Sequence, residues 1–293
     1  MAGEPIPTWA RVIGVVVAIT TGLIAIPTVV LGAVSLASTV GQIQHTTAFD
    51  VGPLPRLQVH ARFGTVAIEA GQEGRVVVHD RRSSGTITRA AATATLRQIA
   101  VDVSRQGDLV LVRQEGSPFT PPEVNRDSTI TIEVPVRTDL TVDGIGTLRV
   151  QGIDGAVHVQ GYSQVDLTDT TLRGASTVDQ PVGEVTLRNV TVAGSAVVTK
   201  TLGAVTFSGQ LAPGGSSLDI EDHTGDVTVV LPRPTDARAV VSTQVGNFRA
   251  DGTWLFTPDQ VVDPRHWTAD LGPSPTGTVT VRTSLGSVAF RSR

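Results

Sequence analysis

Apolar and polar residues alternate along most of the chain after residue 56, and this alternation predicts β-strands. In RLQVHARFGTVAIEA, which begins at Arg56, Leu57 and Val59 would point inward before a glycine turn, and Val66 and Ile68 after it. Further strands are predicted over three ranges, 75–80, 99–115 and 128–136. The alanine-rich stretch 88–98 is short, and helix and coil both fit it.

From residue 140 the strands become repeats of the form Gly or Ser, any residue, apolar, any residue, apolar, as in GEVTLR and GAVTFS. Successive units lie mostly 9 or 11 residues apart, so two units make a period near 20, and Ser176 is the one clear departure. Because side chains alternate along a strand, both apolar positions of a unit should face the core. The predicted core therefore includes Val185, Leu187, Val198, Val205 and Phe207.

This pattern predicts an all-β fold, namely a β-solenoid or β-helix-like domain. The units resemble one another in register, as stacked rungs require, and the Asn-Gly and Asp-Gly pairs typical of tight hairpins are few. An antiparallel β-sandwich is the alternative, because a strand every ten residues also fits that architecture.

Residues 12–43 contain no charged side chain and predict a single transmembrane helix in contact with membrane lipid. Arg11 precedes the run, and the next basic residue is Arg56, so the positive-inside rule places residues 1–11 in the cytoplasm and the rest outside. We therefore expect a single-pass protein of the cytoplasmic (inner) membrane. A cleaved signal peptide, with a site near Ala37, is the alternative, although the run is long for one.

The remaining chain divides into three predicted parts. Residues 44–56 are polar and proline-bearing and predict a linker, and residues 57–137 form an N-terminal β region. Residues 138–293 form the solenoid with a C-terminal cap. The cap would be the stretch 251–276, whose Trp254 and Trp267 suit the covering of an open apolar end; a tryptophan ligand platform is the alternative.

Composition excludes several classes of function. The chain has no cysteine, so it has no disulfide, thiolate metal site or cysteine nucleophile. Its net charge of −4 gives no electrostatic basis for binding nucleic acid. Aromatic residues make up only 4% of the sequence, so the core must be aliphatic.

The most acidic cluster comprises Asp219, Glu221, Asp222 and His223. Oxygen ligands of this kind suit Ca²⁺. A strand would place Asp219 and Glu221 on one face and Asp222 on the other, so we expect a solvated strand end instead of a metal site.

Parallel β-helices also host polysaccharide-cleaving enzymes, which need two carboxylates about 5–9.5 Å apart. Asp166 facing Glu184 on a neighbouring rung is the candidate pair, and Tyr162 is the expected surface aromatic. His79 and His158 are expected to face solvent. No motif of a known catalytic class occurs. We predict no catalytic, cofactor-binding or metal-binding residue, no cofactor, and no enzyme activity.

The order of parts resembles a known bacterial group. A membrane anchor precedes FGTVAIEA, a strand ending in TIEVPV, GxVxV rungs, the step VTVVLPRP and a closing GTVTVRTSLGSVAF. This order over residues 57–293 is similar to the putative-adhesin family of β-helical cell-envelope proteins, long catalogued as domains of unknown function. The resemblance implies a right-handed, helix-like β stack outside the membrane with a role in adhesion or envelope-stress signalling, and it supplies no catalytic residues.

The sequence thus predicts a membrane-anchored, non-catalytic protein with a protein partner, acting in adhesion, envelope scaffolding or envelope-stress signalling. One alternative is an accessory subunit of a larger membrane complex, because Gly14, Ala18 and Gly22 would form a small-residue face for helix contacts. The other is a polysaccharide-active β-helix enzyme.

Overall fold

The computed structural model describes residues 39–86, 96–116, 125–252, 254–258 and 265–293. In these residues the fold is all-β, as predicted, and consists of two large sheets of thirteen and twelve strands. Residues 88–95 of the alanine-rich stretch lie outside the described residues.

The strands follow one another at short intervals. In chain order they are β1 (Thr39–Asp50), β2 (Arg56–Ala61), β3 (Thr65–Ala70), β4 (Arg75–Thr86), β5 (Ala100–Gln106), β6 (Leu109–Glu115), β7 (Asn125–Val134), β8 (Asp139–Gly144), β9 (Thr147–Gln151), β10 (Asp154–Gly155), β11 (Val157–Gln160), β12 (Gln164–Thr168), β13 (Thr171–Leu172), β14 (Ala175–Val182), β15 (Glu184–Val192), β16 (Ser195–Leu202), β17 (Val205–Leu211), β18 (Ser217–Thr224), β19 (Val227–Leu231), β20 (Ala237–Val245), β21 (Phe248–Ala250), β22 (Thr257–Pro258), β23 (His266–Asp270), β24 (Gly277–Leu285) and β25 (Val288–Ser292).

The chain passes alternately from one sheet to the other. Sheet 1 runs β1-β4-β7-β3-β9-β12-β15-β17-β19-β25-β21, with β10 and β13 beside this path, and sheet 2 runs β22-β23-β20-β24-β18-β16-β14-β11-β8-β2-β6-β5. Neighbours in the middle of each sheet are parallel and about one predicted period apart, as in the pairing of Val185 with Val205. Antiparallel pairs occur only near the ends of the two sheets. The alternative of an antiparallel sandwich is therefore wrong.

Four columns of inward side chains form the core between the sheets. One column of sheet 1 runs from Val165 through Val185, Val205 and Val227 to Val288, all of them buried. All five core residues named from the repeats are buried, which confirms that prediction. Ser176 also lies in a core column. Its hydroxyl accepts from the Val157 amide and donates to the Arg173 carbonyl, and these bonds account for a polar residue there.

The N-terminal boundary differs from the prediction. Residues 12–38 of the predicted transmembrane helix lie outside the described residues, whereas residues 39–50 form β1, which pairs with β4 along its whole length. The end of the predicted helix at residue 43 and the linker over residues 44–50 are therefore wrong. Alternation explains the strand, since Phe49 packs against the core while Ala48 and Asp50 are exposed. Within the described ranges, no helix combines the length and apolarity needed to span a membrane.

The N-terminal β region does not form a separate stack. β2 pairs in parallel with β8, and β3 pairs in parallel with β9, so both ladders continue across residue 138.

Aromatic side chains cover the C-terminal end of the core. Phe248, Phe256 and Phe290 pack together, with ring centroids 4.8–6.3 Å apart, and Trp267 lies 5.0 Å from Phe248. Trp254 is buried against the same cluster of core residues. The stretch expected to form a cap thus contributes apolar cover at this end, and β23 within it pairs antiparallel to β20.

A column of glycines, interrupted at Ser163, marks the corner where strands of sheet 2 lead into sheet 1. Gly183 and Gly203 have φ angles of 122° and 128°, which L-residues rarely adopt. A Cβ atom on Gly203 would lie 1.8 Å from the Gly183 carbonyl oxygen. The rungs therefore approach each other at this corner more closely than any side chain allows. Gly194 belongs to a second corner, where it stacks on Gly174.

We predict that Gly203→Ala lowers the free energy of unfolding by at least about 3 kcal/mol, because it combines an unfavourable φ with a backbone clash. Gly107→Ala is the matched control, since Gly107 has a φ of 62° and no heavy atom within 4 Å of an added Cβ. It should cost about 1 kcal/mol. Denaturant unfolding of both variants checks this, and equal losses would show that rung contact at the corner is unimportant.

Candidate interaction surface

The outer face of sheet 2 presents side chains in two straight columns. The parallel register aligns outward residues, all polar except Val197, from six adjacent strands, β2, β8, β11, β14, β16 and β18. One column contains Gln58, Thr141, His158, Thr177, Val197 and Asp219, and the other contains His60, Asp143, Gln160, Asp179, Thr199 and Glu221. Alternate repeats lie in different sheets, so the middle residues of the repeats are divided between two faces.

A shallow trough of about 570 Å³ lies along these columns between His60 and Thr199. His158 Nδ1 lies 3.0 Å from Thr177 Oγ1 across two strands, so this histidine is half-buried and bonded to its neighbour instead of standing free. Asp143 and Asp179 lie on either side of Gln160 in the second column. The floor is polar and carries carboxylates, amides and hydroxyls at the spacing of the strands.

A larger cleft of about 1200 Å³ opens at the corner next to the trough, and the two share His60, Asp143 and Gln160. Val182 and Leu202 each stand one residue before a corner, and their side chains are 55% and 50% exposed. Tyr162 stands at the same position in its rung, and its side chain is wholly buried. Tyr162 was predicted to be a surface aromatic, and that prediction is wrong. A φ of 94° at Gly161 lets the chain turn Tyr162 inward, so the apolar side chain that lines the cleft is the exposed Ile145 of the preceding rung.

The phenol of Tyr162 lies in an apolar environment. Its oxygen has no hydrogen-bond partner among the described residues, and burial raises its pKa well above the usual value, with the Asp143 charge adding to the effect. Tyr162 therefore fills space beneath the cleft and offers it no chemistry.

The walls of the cleft are held by a polar network. His60 Nδ1 contacts Asp143 Oδ1, and His60 Nε2 lies 2.9 Å from Gln58 Nε2. The buried Gln114 accepts from the Arg62 and Phe63 amides at 2.9 and 3.1 Å and donates to Ser128. These bonds fix the loop after β2.

Two guanidinium groups border the cleft. Arg62 and Arg113 are exposed, and neither has an ion pair within the described ranges. Glu115 and Asp143 provide negative charge nearby. The cleft thus offers donors and acceptors of both signs to a polar ligand.

The acidic cluster near residue 220 is divided between two faces, as its parity predicted. Asp219 lies on the outer face, and its two oxygens accept from Arg282 Nη1 at 3.0 and 3.1 Å, whereas Asp222 points inward and is 1% exposed. The expectation of a solvated strand end is therefore wrong for Asp222. No group of three or more metal-ligating side chains occurs in the part of the chain that the structure describes.

Asp222 belongs to a buried polar column that sequence reasoning missed. Five inward-facing residues stack on adjacent strands of sheet 2, near the corner, and each is less than 5% exposed: Gln180, Lys200, Asp222, Thr283 and Thr243. Lys200, the one lysine of the chain, donates to the carbonyls of Gly183 and Leu202. The sequence contains a signal for this column, because each of its members stands three residues before a corner glycine.

Asp222 differs from its neighbours because a carboxylate only accepts hydrogen bonds. Thr243 Oγ1 donates to the Gly286 carbonyl, as Lys200 does to that of Gly183. A Cβ atom on Gly225 would lie 2.6 Å from Asp222 Oδ2 and 1.6 Å from the Gly203 carbonyl oxygen, so two acceptors lie side by side. Neither oxygen of Asp222 has a full hydrogen bond. Burial raises the pKa of Asp222, although the Lys200 charge and the Thr224 amide oppose the shift.

We predict that Asp222→Asn stabilises the protein at pH 7 by about 1 kcal/mol, because an amide can donate to the facing carbonyl. The pKa of Asp222 is higher in the folded than in the unfolded protein. Its contribution to the free energy of unfolding is therefore fully present below the unfolded pKa of about 3.9 and is lost as pH rises through the folded pKa. The advantage of Asn should therefore shrink as pH falls toward 4. Unfolding curves from pH 4 to 8 check this.

The matched control is Asp219→Asn, which removes only an exposed ion pair of the same strand and should change stability by less than about 1 kcal/mol. An advantage of Asp222→Asn that stays constant with pH would contradict protonation of Asp222.

The predicted carboxylate pair does not form. Asp166 lies opposite Thr186, and Glu184 lies opposite Gln164, because the register between β12 and β15 is 20 residues. Within the described ranges, the carboxylates that do oppose each other in register are Glu69 and Glu133 on β3 and β7. They are absent from the linings of the trough and the cleft, and Glu133 lies 3.4 Å from His79, which is half-exposed. The shared Ile-Glu step in FGTVAIEA and TIEVPV could have revealed this pair.

Comparison with known proteins gives similar structures but no sequence family. No family model and no curated protein matches the chain. A putative cell adhesion protein from Clostridium sporogenes is 14% identical, with a TM-score of 0.36 over 86% of this chain and 100% of its own. A putative adhesin from Bacteroides fragilis is 12% identical, with a TM-score of 0.41 over 85% and 97%. A putative adhesin from Parabacteroides merdae is 9% identical, with a TM-score of 0.28 over 85% and 96%.

These names agree with the family that the sequence resembles. Because the TM-scores are below 0.5, the likenesses carry no argument about function, and membership of the family stays a prediction.

Proposed function

We propose that the protein is a membrane-anchored β-solenoid that lies outside the cytoplasm and binds another component of the cell envelope, in adhesion, scaffolding or envelope-stress signalling. The parallel ladders, in which strands of sheets 1 and 2 alternate along the chain, support a solenoid. The uncharged stretch at residues 12–38, which precedes β1, supports an anchor.

The observation that carries this proposal is the continuous outer face of sheet 2. Its trough and the adjoining cleft expose polar groups from consecutive strands. The cleft lies beside the corner at which Tyr162 turns inward. Regular polar columns with few aromatic side chains suit contacts repeated along an extended partner. A small-molecule pocket, by contrast, is mostly apolar and enclosed.

A non-catalytic role fits the chemistry of this face. The carboxylates of the trough, Asp143 and Asp179, alternate with Gln160 in the ladder instead of facing each other. Two strand spacings put their backbones about 9.6 Å apart, at the upper limit for a glycosidase pair, and Asp143 is already in contact with His60.

The test is affinity purification of the full-length chain from its native membrane in mild detergent. We expect Thr177→Arg, which puts a bulky charge in the trough, to lower the yield of a co-purifying partner at least tenfold. Thr228→Arg is the matched control, because Thr228 lies on the outer face of sheet 1. Co-sedimentation with isolated cell envelopes, measured with the same variants, covers partners that are not proteins.

Other outcomes would replace the proposal. Partners lost from Gly14→Leu but kept by Thr177→Arg would favour the accessory subunit whose helix packs within a complex. Cleavage of an envelope polysaccharide, lost on Glu69→Gln, would favour the enzyme. If no envelope component binds, or if both arginine variants bind equally, the proposed surface is wrong.

A further inference from the structure

The two sheets have four edge strands, and one of them lacks the features that keep the other three from pairing with another chain. The edges are β1 and β21 in sheet 1 and β5 and β22 in sheet 2. β21 has three residues, β22 has two and ends in proline, and β5 carries Asp102 and Arg105. Short length, proline and charge all discourage pairing with another chain. β1 has twelve residues, no proline, and no acidic or basic side chain apart from His45 until Asp50.

The backbone groups at the free side of β1 can be assigned from its ladder. The Val51 amide donates to the Gly74 carbonyl directly opposite at 2.8 Å. Because hydrogen-bonded pairs alternate along antiparallel strands, the odd-numbered residues of β1 bond to β4. The even-numbered residues therefore direct their N–H and C=O groups away from β4. They are Val40, Gln42, Gln44, Thr46, Ala48 and Asp50.

We propose that two copies of this chain dimerise by antiparallel pairing of their β1 strands at this edge. Within the described ranges, β1 pairs only with β4, and its even-numbered residues from Gln42 to Asp50 are exposed. A second copy offers the same edge, which gives an isologous contact with two-fold symmetry.

One register matches all the free groups. When Gln44 faces Thr46 of the partner, Gln42 faces Ala48 and Val40 faces Asp50. All six even-numbered residues of each copy are then paired, giving about twelve hydrogen bonds. The paired segment of eleven residues spans about 37 Å.

Side chains are compatible with this register. The odd-numbered residues form the intervening pairs, so Phe49 of one copy is opposite Gly41 of the other, and neither carries a charge. Ile43 faces Thr47, a β-branched pair. His45 faces its own copy at the two-fold axis. The strand positions facing each other contain no pair of permanent like charges.

The experiment is sedimentation velocity of the full-length chain in mild detergent over a range of concentrations. We expect a dimer, and we expect Gln44→Lys to raise the dissociation constant at least tenfold, because the two Gln44 residues are diagonal neighbours across the axis. Gln151→Lys, on the exposed face of β9 inside sheet 1, is the matched control and should leave the dimer unchanged. Circular dichroism establishes that both variants fold.

A charge-swap mixture tests the register. Gln44→Glu alone should also be monomeric, whereas an equimolar mixture with Gln44→Lys should associate as a heterodimer. A wild-type monomer at 100 μM, or Gln44→Lys that dimerises as well as the wild type, would overturn the proposal. So would a mixture that fails to associate. The inference is independent of the partner-binding surface on sheet 2, since the test involves β1 alone.

Discussion

The structure depends on how closely successive rungs can approach each other at the corners. Parallel strands pair about 4.8 Å apart along their length, and the turns must keep that spacing. At Gly203 the neighbouring carbonyl oxygen occupies the place of a Cβ atom. Glycine at this position therefore sets the register of both sheets. That register in turn brings Val185, Val205 and Val227 into one buried column and aligns the polar side chains outside.

In a repeated structure of this kind, distinct surface features occur where the residues of one rung differ from those of the others. Ser163 takes the corner position in one rung, and Tyr162 before it turns inward. The corner loses a projecting side chain, and the cleft opens beside His60 and Asp143. The inward-facing side chains near the corners also differ at one rung. Lys200 and Thr243, each three residues before a corner glycine, donate to buried carbonyls, whereas Asp222 at the same position cannot donate unless it carries a proton.

Local alternation was sufficient to predict the strands, the inward residues and the division of Asp219 from Asp222, because each depends on one strand. The period near 20 also indicated which strands are neighbours. Contacts that depend on the offset between rungs were not predictable. Asp166 faces Thr186 because the offset is 20 residues, and no local signal excluded the 18 that would have paired it with Glu184. The predicted end of the transmembrane helix was wrong at residues 39–43, because the uncharged run continues into β1 without a change in composition.

The ends of the stack need a different solution from its middle, because a parallel ladder could accept another rung without limit. Antiparallel pairs occur near both ends: β7, β4 and β1 alternate in direction at one end, and β20, β23 and β22 at the other. Because the direction changes twice, β1 and β22 again run with the parallel ladder, so strand direction alone does not prevent another rung from adding. At the C-terminal end the aromatic cluster around Phe248 covers the apolar interior. At β1, antiparallel pairing with a second copy would give a two-fold contact that closes after two copies instead of extending into a fibre.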